Sequence, residues 1–252
     1  MNPSISLHQI KASFLDLLFP LQCLGCGTEG SLLCPSCCLS LPRIKQPLCQ
    51  RCGTPLNEGN LCPACISHPL TIDGIRSLFL FGGTVRHAIH QLKYRHIKAM
   101  ADPLGQLLAE FLRSYPLPGE VLIPVPLHPK RLRERGYNQA TLLAREVSKL
   151  NGLPVDERLL LRQRDTITQA RTASSMERRS NVRDAFICRQ GLHGERILLI
   201  DDVCTTGATL DACAAALKAA GAGSVWGLTA ASEKFPWPSS ANIENQVADG
   251  IK

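Results

Sequence analysis

Two stretches of the chain put reactive side chains at spacings that carry chemistry. In Ile197-Leu198-Leu199-Ile200-Asp201-Asp202-Val203-Cys204-Thr205-Thr206-Gly207-Ala208-Thr209, four apolar residues run into paired acids and then into a loop rich in threonine. An all-apolar run of this length suits a strand buried on both faces of a parallel sheet, and ligands of such sheets sit outside the carboxyl ends of the strands. As the chain leaves the strand, Asp201 and Asp202 are both expected to reach a vicinal diol, or a diol that also holds Mg²⁺. Thr205, Thr206, Gly207, Ala208 and Thr209 then offer successive backbone N–H groups, three hydroxyls and the positive end of the next helix, the set a phosphate monoester needs. The bland alternative is a strand-to-helix turn whose acids bind metal or whose threonines cap the helix. Cys204 reads as a neutral loop residue, with a reactive thiol as the sharper option.

The second stretch is a cysteine repeat. Of the twelve cysteines, nine fall between Cys23 and Cys65. They form four C-x2-C pairs: Cys23/Cys26, Cys34/Cys37, Cys49/Cys52 and Cys62/Cys65. Each half of the repeat opens with C-x-x-C-Gly and closes with Leu-Cys-Pro-x-Cys. One C-x2-C turn presents two thiolates to one ion, and two turns close a tetrahedron. The spacing therefore predicts two structural zinc sites, one of Cys23, Cys26, Cys34 and Cys37, the other of Cys49, Cys52, Cys62 and Cys65. Disulfides and iron are the alternatives, and a reducing compartment disfavours the first. Cys38 is left over and reads as a spectator thiol. A ribbon this short has too few large apolar side chains to fold without its metal.

Two basic stretches could meet anions. Residues 125–139 carry Lys130, Arg131, Arg133 and Arg135 against Glu134, and a cation set at a sheet's carboxyl edge suits pyrophosphate. A solvated basic loop is the plain reading. Residues 158–183 hold seven arginines against Asp165 and Glu177, which suits a mobile flap closing over an anionic ligand or a contact to a nucleic-acid backbone. Lys93 and Tyr94 in LKYRH could lie near the same crevice, although spacing alone supplies no geometry for them.

These residues need a scaffold. At 252 residues, with 44% apolar and 19% charged side chains, the chain can bury a core and is too weakly charged for wholesale disorder. A packing helix is expected over 1–20, from Ile10, Phe14, Leu17 and Leu18 at helical spacing, and the double ribbon over 21–68. Residues 69–233 read as alternating strands and helices: strands at 72–81, 120–126, 197–200 and 224–230, helices at 84–94, 97–113, 140–150 and 208–220. Short apolar strands alternating with helices predict an α/β domain, a parallel sheet flanked by helices. Residues 234–252 have no consistent period and read as a flexible tail. No run of about 20 apolar residues suggests a membrane span, and Asp16 interrupts the apolar stretch a secretory signal would need, so a cytoplasmic protein is expected. The formal charge of +7 fits anionic partners or merely a soluble surface; eight zinc-bound thiolates would bring it closer to neutral. No G-x4-G-K-[ST] sequence occurs, so an autonomous P-loop motor is not expected.

The 197–209 stretch resembles the motif with which type I phosphoribosyltransferases bind phosphoribosyl pyrophosphate (PRPP). By that resemblance Asp201 and Asp202 bind the ribose hydroxyls, Thr205 to Thr209 the 5-phosphate, and the basic 158–183 stretch corresponds to the loop that closes over PRPP. The double C-x2-C module, LHPKRLRERGYNQA and ERRSNVRDAF together are similar to the ComF (ComFC, or GntX) proteins of bacterial competence, over about residues 10–232. The resemblance implies a type I phosphoribosyltransferase-like domain using PRPP with Mg²⁺. It also implies a role with incoming single-stranded DNA on the cytoplasmic side of the inner membrane, beside a DNA-uptake helicase. Two functions stay open: a phosphoribosyltransferase, or a catalytically silent module that binds single-stranded DNA or the helicase.

Overall fold

The computed structural model describes residues 20–163 and 185–233. The helix expected over 1–20, most of the basic flap and the tail from 234 lie outside the described residues. The chain divides into two compact units, residues 1–41 and 42–252. That division falls inside the cysteine repeat, between its two halves.

In the first unit, Cys34 precedes a short helix, α1 (Pro35–Ser40), with Pro35 at its first turn. Proline suits that position because its missing N–H would have no partner there. The second unit repeats the device with Cys62 and α2 (Pro63–Ser67).

The larger unit is built on four parallel strands in the order β1 (Gly74–Leu80), β6 (Ser224–Ser232), β5 (Arg196–Cys204), β2 (Val121–Pro124). Ile197, Leu198, Leu199 and Ile200 are all buried, as strands covered on both faces require. Each such side chain contributes about 1.5–3 kcal/mol by leaving water. Both sheet edges are covered. The Ile44 N–H donates to the Leu78 carbonyl and the Leu80 N–H to that of Pro42, while the Leu122 N–H donates to Pro154 and the Asp156 N–H to Leu122. Such cover blocks edge-to-edge pairing with other chains.

Between β1 and β2 lie α3 (Gly83–Tyr94), a short 3-10 turn (Lys98–Met100) and α4 (Ala101–Ser114). The apolar stripe of α4 buries Leu104, Leu107, Leu108 and Leu112, and α4 packs on α6 (Gln139–Asn151), which itself lies on β2 and β5. Helix α7 (Ala208–Ala219) joins β5 to β6.

Three features differ from the sequence reading. Strand β5 does not end at Ile200 but continues to Cys204, paired with β6 through Asp201↔Thr229 and Cys204↔Ser232. Residues 129–135, read as loop, form a helix, α5 (Pro129–Arg135), started by Pro129 and closed by Gly136 in the left-handed region at φ 74°. Its seven residues are too few for periodicity to stand out. An antiparallel pair, β3 (Leu160–Arg162) with β4 (Phe186–Cys188), joins strands from either side of residues 164–184, a pairing that no local signal announces.

Candidate functional site

The two cysteine clusters form as the spacing predicts. In each, the four Sγ atoms lie within 4.8 Å of one another. Cys26 Sγ to Cys34 Sγ is 3.6 Å, as is Cys52 Sγ to Cys62 Sγ, close to the edge of about 3.8 Å that a tetrahedron of 2.3 Å Zn–S bonds requires. Backbone N–H groups support the sulfurs: Cys34 N–H donates to Cys23 Sγ at 3.3 Å, and Cys62 N–H to Cys49 Sγ at 3.4 Å. Such N–H donors stabilise thiolates and orient them. The donor set fits zinc at both. The clusters differ in setting: Cys26 is exposed, whereas Cys49, Cys52, Cys62 and Cys65 are all buried in one core with Ile72, Ile75 and Leu210.

A crevice forms at the carboxyl end of β5. Asp201, Val203, Cys204, Thr205, Gly207, Thr209 and Leu210 line one pocket. Gly207 sits at φ 84° immediately before α7, a backbone conformation that costs other residues about 1–2 kcal/mol. It turns the strand end into the helix and aims the N-terminus of α7 at the pocket. Thr206 Oγ1 accepts from the Ala208 N–H at 3.3 Å, so this threonine caps the helix; Thr205 is exposed and Thr209 half-buried. Within the first turn of α7, Asp211 Oδ1 accepts from the Thr71 and Ile72 N–H groups at 2.6 and 3.0 Å, which fixes the helix to the start of β1.

Because β5 continues through the acids, Asp201 and Asp202 do not share a face. Successive strand residues point oppositely: Asp201 lines the pocket, while Asp202 is 2% exposed on the other side. There its Oδ2 lies 2.6 Å from Lys93 Nζ, at the last turn of α3. Burial opposes the charge of Lys93, but the carboxylates of Asp202 and then Asp201 outweigh it and hold its pKa above the ordinary value. Burial, followed by the Asp202 carboxylate, pushes the carboxyl of Asp201 above the usual range, against the pull of Lys93.

The basic helix α5 starts at the same edge. Pro124 pairs with Ile200, and Val125 N–H donates to the Ile200 carbonyl at 2.9 Å. Asn138 Nδ2 donates to the Val125 carbonyl at 2.9 Å, closing the far end of the loop. Lys130 and Arg133 are exposed and Arg131 is half-buried. Arg135 Nη1 donates to Gln139 Oε1, and its guanidinium lies 5.3 Å from the Tyr94 ring.

With that geometry in view, comparison with known proteins is informative. A double zinc ribbon family model matches residues 14–66. The DNA utilization protein YhgH of Escherichia coli O157:H7 is 31% identical over 196 residues, 75% of this chain and 86% of that protein. Competence protein F of Haemophilus influenzae is 30% identical over 231 residues, spanning 84% of this chain and 98% of that one. The chain belongs to the ComF family. Competence protein ComFC of Bacillus subtilis is a further relative, 28% identical over 71% of this chain and 74% of its own length. Among solved structures, a glutamine PRPP amidotransferase from B. subtilis has a TM-score of 0.36 at 20% identity, covering 52% of this chain and 26% of that one. A purine phosphoribosyltransferase from Pyrococcus horikoshii has 0.31 at 18% identity, over 55% of this chain and 90% of that one. Likenesses of that degree carry no argument about activity.

In this ComF chain, then, one sheet edge gathers Asp201, Asp202, the Thr205–Thr209 loop and the start of α5. Sequence reasoning ranked Lys93 below the other cations. A signal was nonetheless present: Lys93 lies four residues after Ile89, on the stripe of Val85, Ile89 and Leu92 that α3 buries. A lysine on such a face needs an acidic partner. Among the described residues, no helix is long and apolar enough to cross a membrane.

Proposed function

We propose that the crevice binds PRPP and supports displacement of its pyrophosphate by a nucleophile at the anomeric carbon. The observation that carries this reading is that Asp201 adjoins Thr205, Gly207 and Thr209 in one pocket at the N-terminus of α7. The loop would take the 5-phosphate through backbone N–H groups and threonine hydroxyls, aided by the helix dipole. Asp201 forms the acidic end of the pocket, suited to ribose hydroxyls and to the positive charge that develops on the sugar as the leaving group departs, with Asp202 behind it on the other face of β5. Lys130, Arg131, Arg133 and Arg135 supply cations for pyrophosphate. Mg²⁺ arriving with PRPP would be held by the hard carboxylate oxygen of Asp201 and by the ligand's own phosphates, and would neutralise charge on the leaving group. Such chemistry asks little of protein nucleophiles, because positioning and electrostatics lower most of the barrier.

Titration calorimetry with PRPP, with and without Mg²⁺, tests the reading on the zinc-loaded protein and on the Asp201→Asn/Asp202→Asn variant. Binding by wild type that the variant loses supports it. Binding that survives in the variant, or none by wild type, refutes it.

A second reading follows from the names of the relatives and from the surface of α5. We infer that its exposed cations, with Tyr94 60% exposed beneath Arg135, can meet single-stranded DNA through phosphate contacts and base stacking. Affinity for an oligonucleotide should then fall steeply with salt; salt-insensitive or undetectable binding counts against it.

A further inference from the structure

Lys93 forms an ion pair with one of the paired acids, Asp202. It reaches from the end of α3 to the end of β5, where its Nζ lies 2.6 Å from Asp202 Oδ2. Buried charge pairs add little net stability, because desolvation offsets their attraction. This pair is closed on one side only: the Asp202 side chain is 3% exposed and that of Lys93 20%, so the solvent-exposed part of the pair belongs to Lys93. An ammonium has three donors, more than the ion pair with Asp202 Oδ2 can use.

The surroundings add two facts. Residue 94, next in the chain, lies under the guanidinium of Arg135, so the end of α3 adjoins the end of α5. The start of α5 is tied to Ile200, the residue before the acids, through Val125. The ends of α3 and α5 therefore adjoin, at the sheet edge where Asp202 lies. Lys93 places a positive charge against Asp202, which lowers the repulsion a polyanion would meet from that carboxylate.

Resting on the phosphoribosyl reading above, we propose that Lys93 contacts the pyrophosphate of PRPP, and that Asp202 is a positioning residue which holds the ammonium for it while Asp201 alone meets the sugar. The two acids then differ in role although they are adjacent in sequence. Lys93 carries its charge on the Asp202 side of β5, where it donates to phosphate oxygens of the leaving group.

Calorimetry with two probes, PRPP and ribose 5-phosphate, each with Mg²⁺, separates the possibilities in wild type, Lys93→Met, Lys93→Arg and Lys93→Met/Asp202→Asn. Lys93→Met should lose at least about tenfold in affinity for PRPP and stay within about threefold for ribose 5-phosphate; Lys93→Arg should recover most of the loss. The double variant removes both charges and so avoids an unpaired buried acid; it should unfold near the wild-type temperature yet still bind PRPP weakly. Equal loss for the two probes, or wild-type PRPP affinity in the double variant, overturns the role of Lys93 while leaving the crevice as a phosphoribosyl site. Failure of wild type to bind PRPP overturns the underlying reading as well, and that outcome is distinct because it needs no variant.

Discussion

A carboxylate that is 2% exposed needs a partner, and the Lys93–Asp202 pair shows how one contact assigns roles to neighbouring residues. Removing one member should cost more than removing both. Asp202→Ala is expected to destabilise the protein by roughly 3 kcal/mol, the low end for a broken buried pair, because the Lys93 side chain keeps a fifth of its surface in water. Lys93→Met/Asp202→Asn should lose less than half as much, and urea denaturation of both variants checks the order. If the single variant is as stable as wild type, the pair is solvated and Asp202 does not act through Lys93. On the opposite face, Asp201→Asn should leave stability nearly unchanged or slightly raised, since burial already disfavours its charge, while abolishing measurable PRPP binding.

Among the elements, the two cysteine turns share one backbone and meet different surroundings. Gly27 and Gly53 lie at φ 76° and 72°, so alanine is strained at either by about 1–2 kcal/mol. At Gly27 nothing lies within 4 Å of an added Cβ, whereas at Gly53 the Ile75 carbonyl oxygen would be 2.5 Å away. Gly53→Ala is therefore expected to lower the thermal midpoint clearly more than Gly27→Ala, and calorimetric unfolding of the two should differ; equal shifts would mean the second turn can move away from β1. The β5–α7 junction carries a comparable demand, because Gly207 at φ 84° sets the entry to the helix. Gly207→Val should weaken PRPP binding by tenfold or more through the displaced loop, with unfolding measured alongside to show that the sheet remains.

For the whole molecule, the second cysteine cluster belongs to the unit that holds the sheet. Its four cysteines share a buried core with Ile72, Ile75, Leu199 and Leu217. Arg51, within the cluster's first turn, donates from Nη1 to the Ile72 carbonyl at 2.9 Å, and the Ile72 N–H donates to Asp211 in the first turn of α7. Metal at this cluster therefore stabilises the same unit that forms the crevice. Chelation should lower the unfolding temperature of that unit, followed through the fluorescence of Trp226 on β6, and Cys49→Ser/Cys52→Ser should do so more than Cys23→Ser/Cys26→Ser. Equal effects of the two variants would show that the second cluster is dispensable to the sheet.

Local pattern was readable directly from the residues. The C-x2-C spacing specified both four-cysteine sets, because ligands a turn apart cannot avoid one another. The all-apolar run before Asp201 specified a buried strand, and the stripe of α4 specified its buried face. The threonine loop was legible because glycine and threonine between a strand and a helix leave few other structures. Contacts between distant segments set the rest. That β5 runs on to Cys204 depends on pairing with β6, and this extension puts the two acids on opposite faces. The partner of Asp202 comes from a helix more than a hundred residues away in the chain, and no periodicity reports a contact at that separation. The second cysteine cluster joins the sheet because Ile72 and Ile75 bury against it, a match of surfaces that exists only once both have folded.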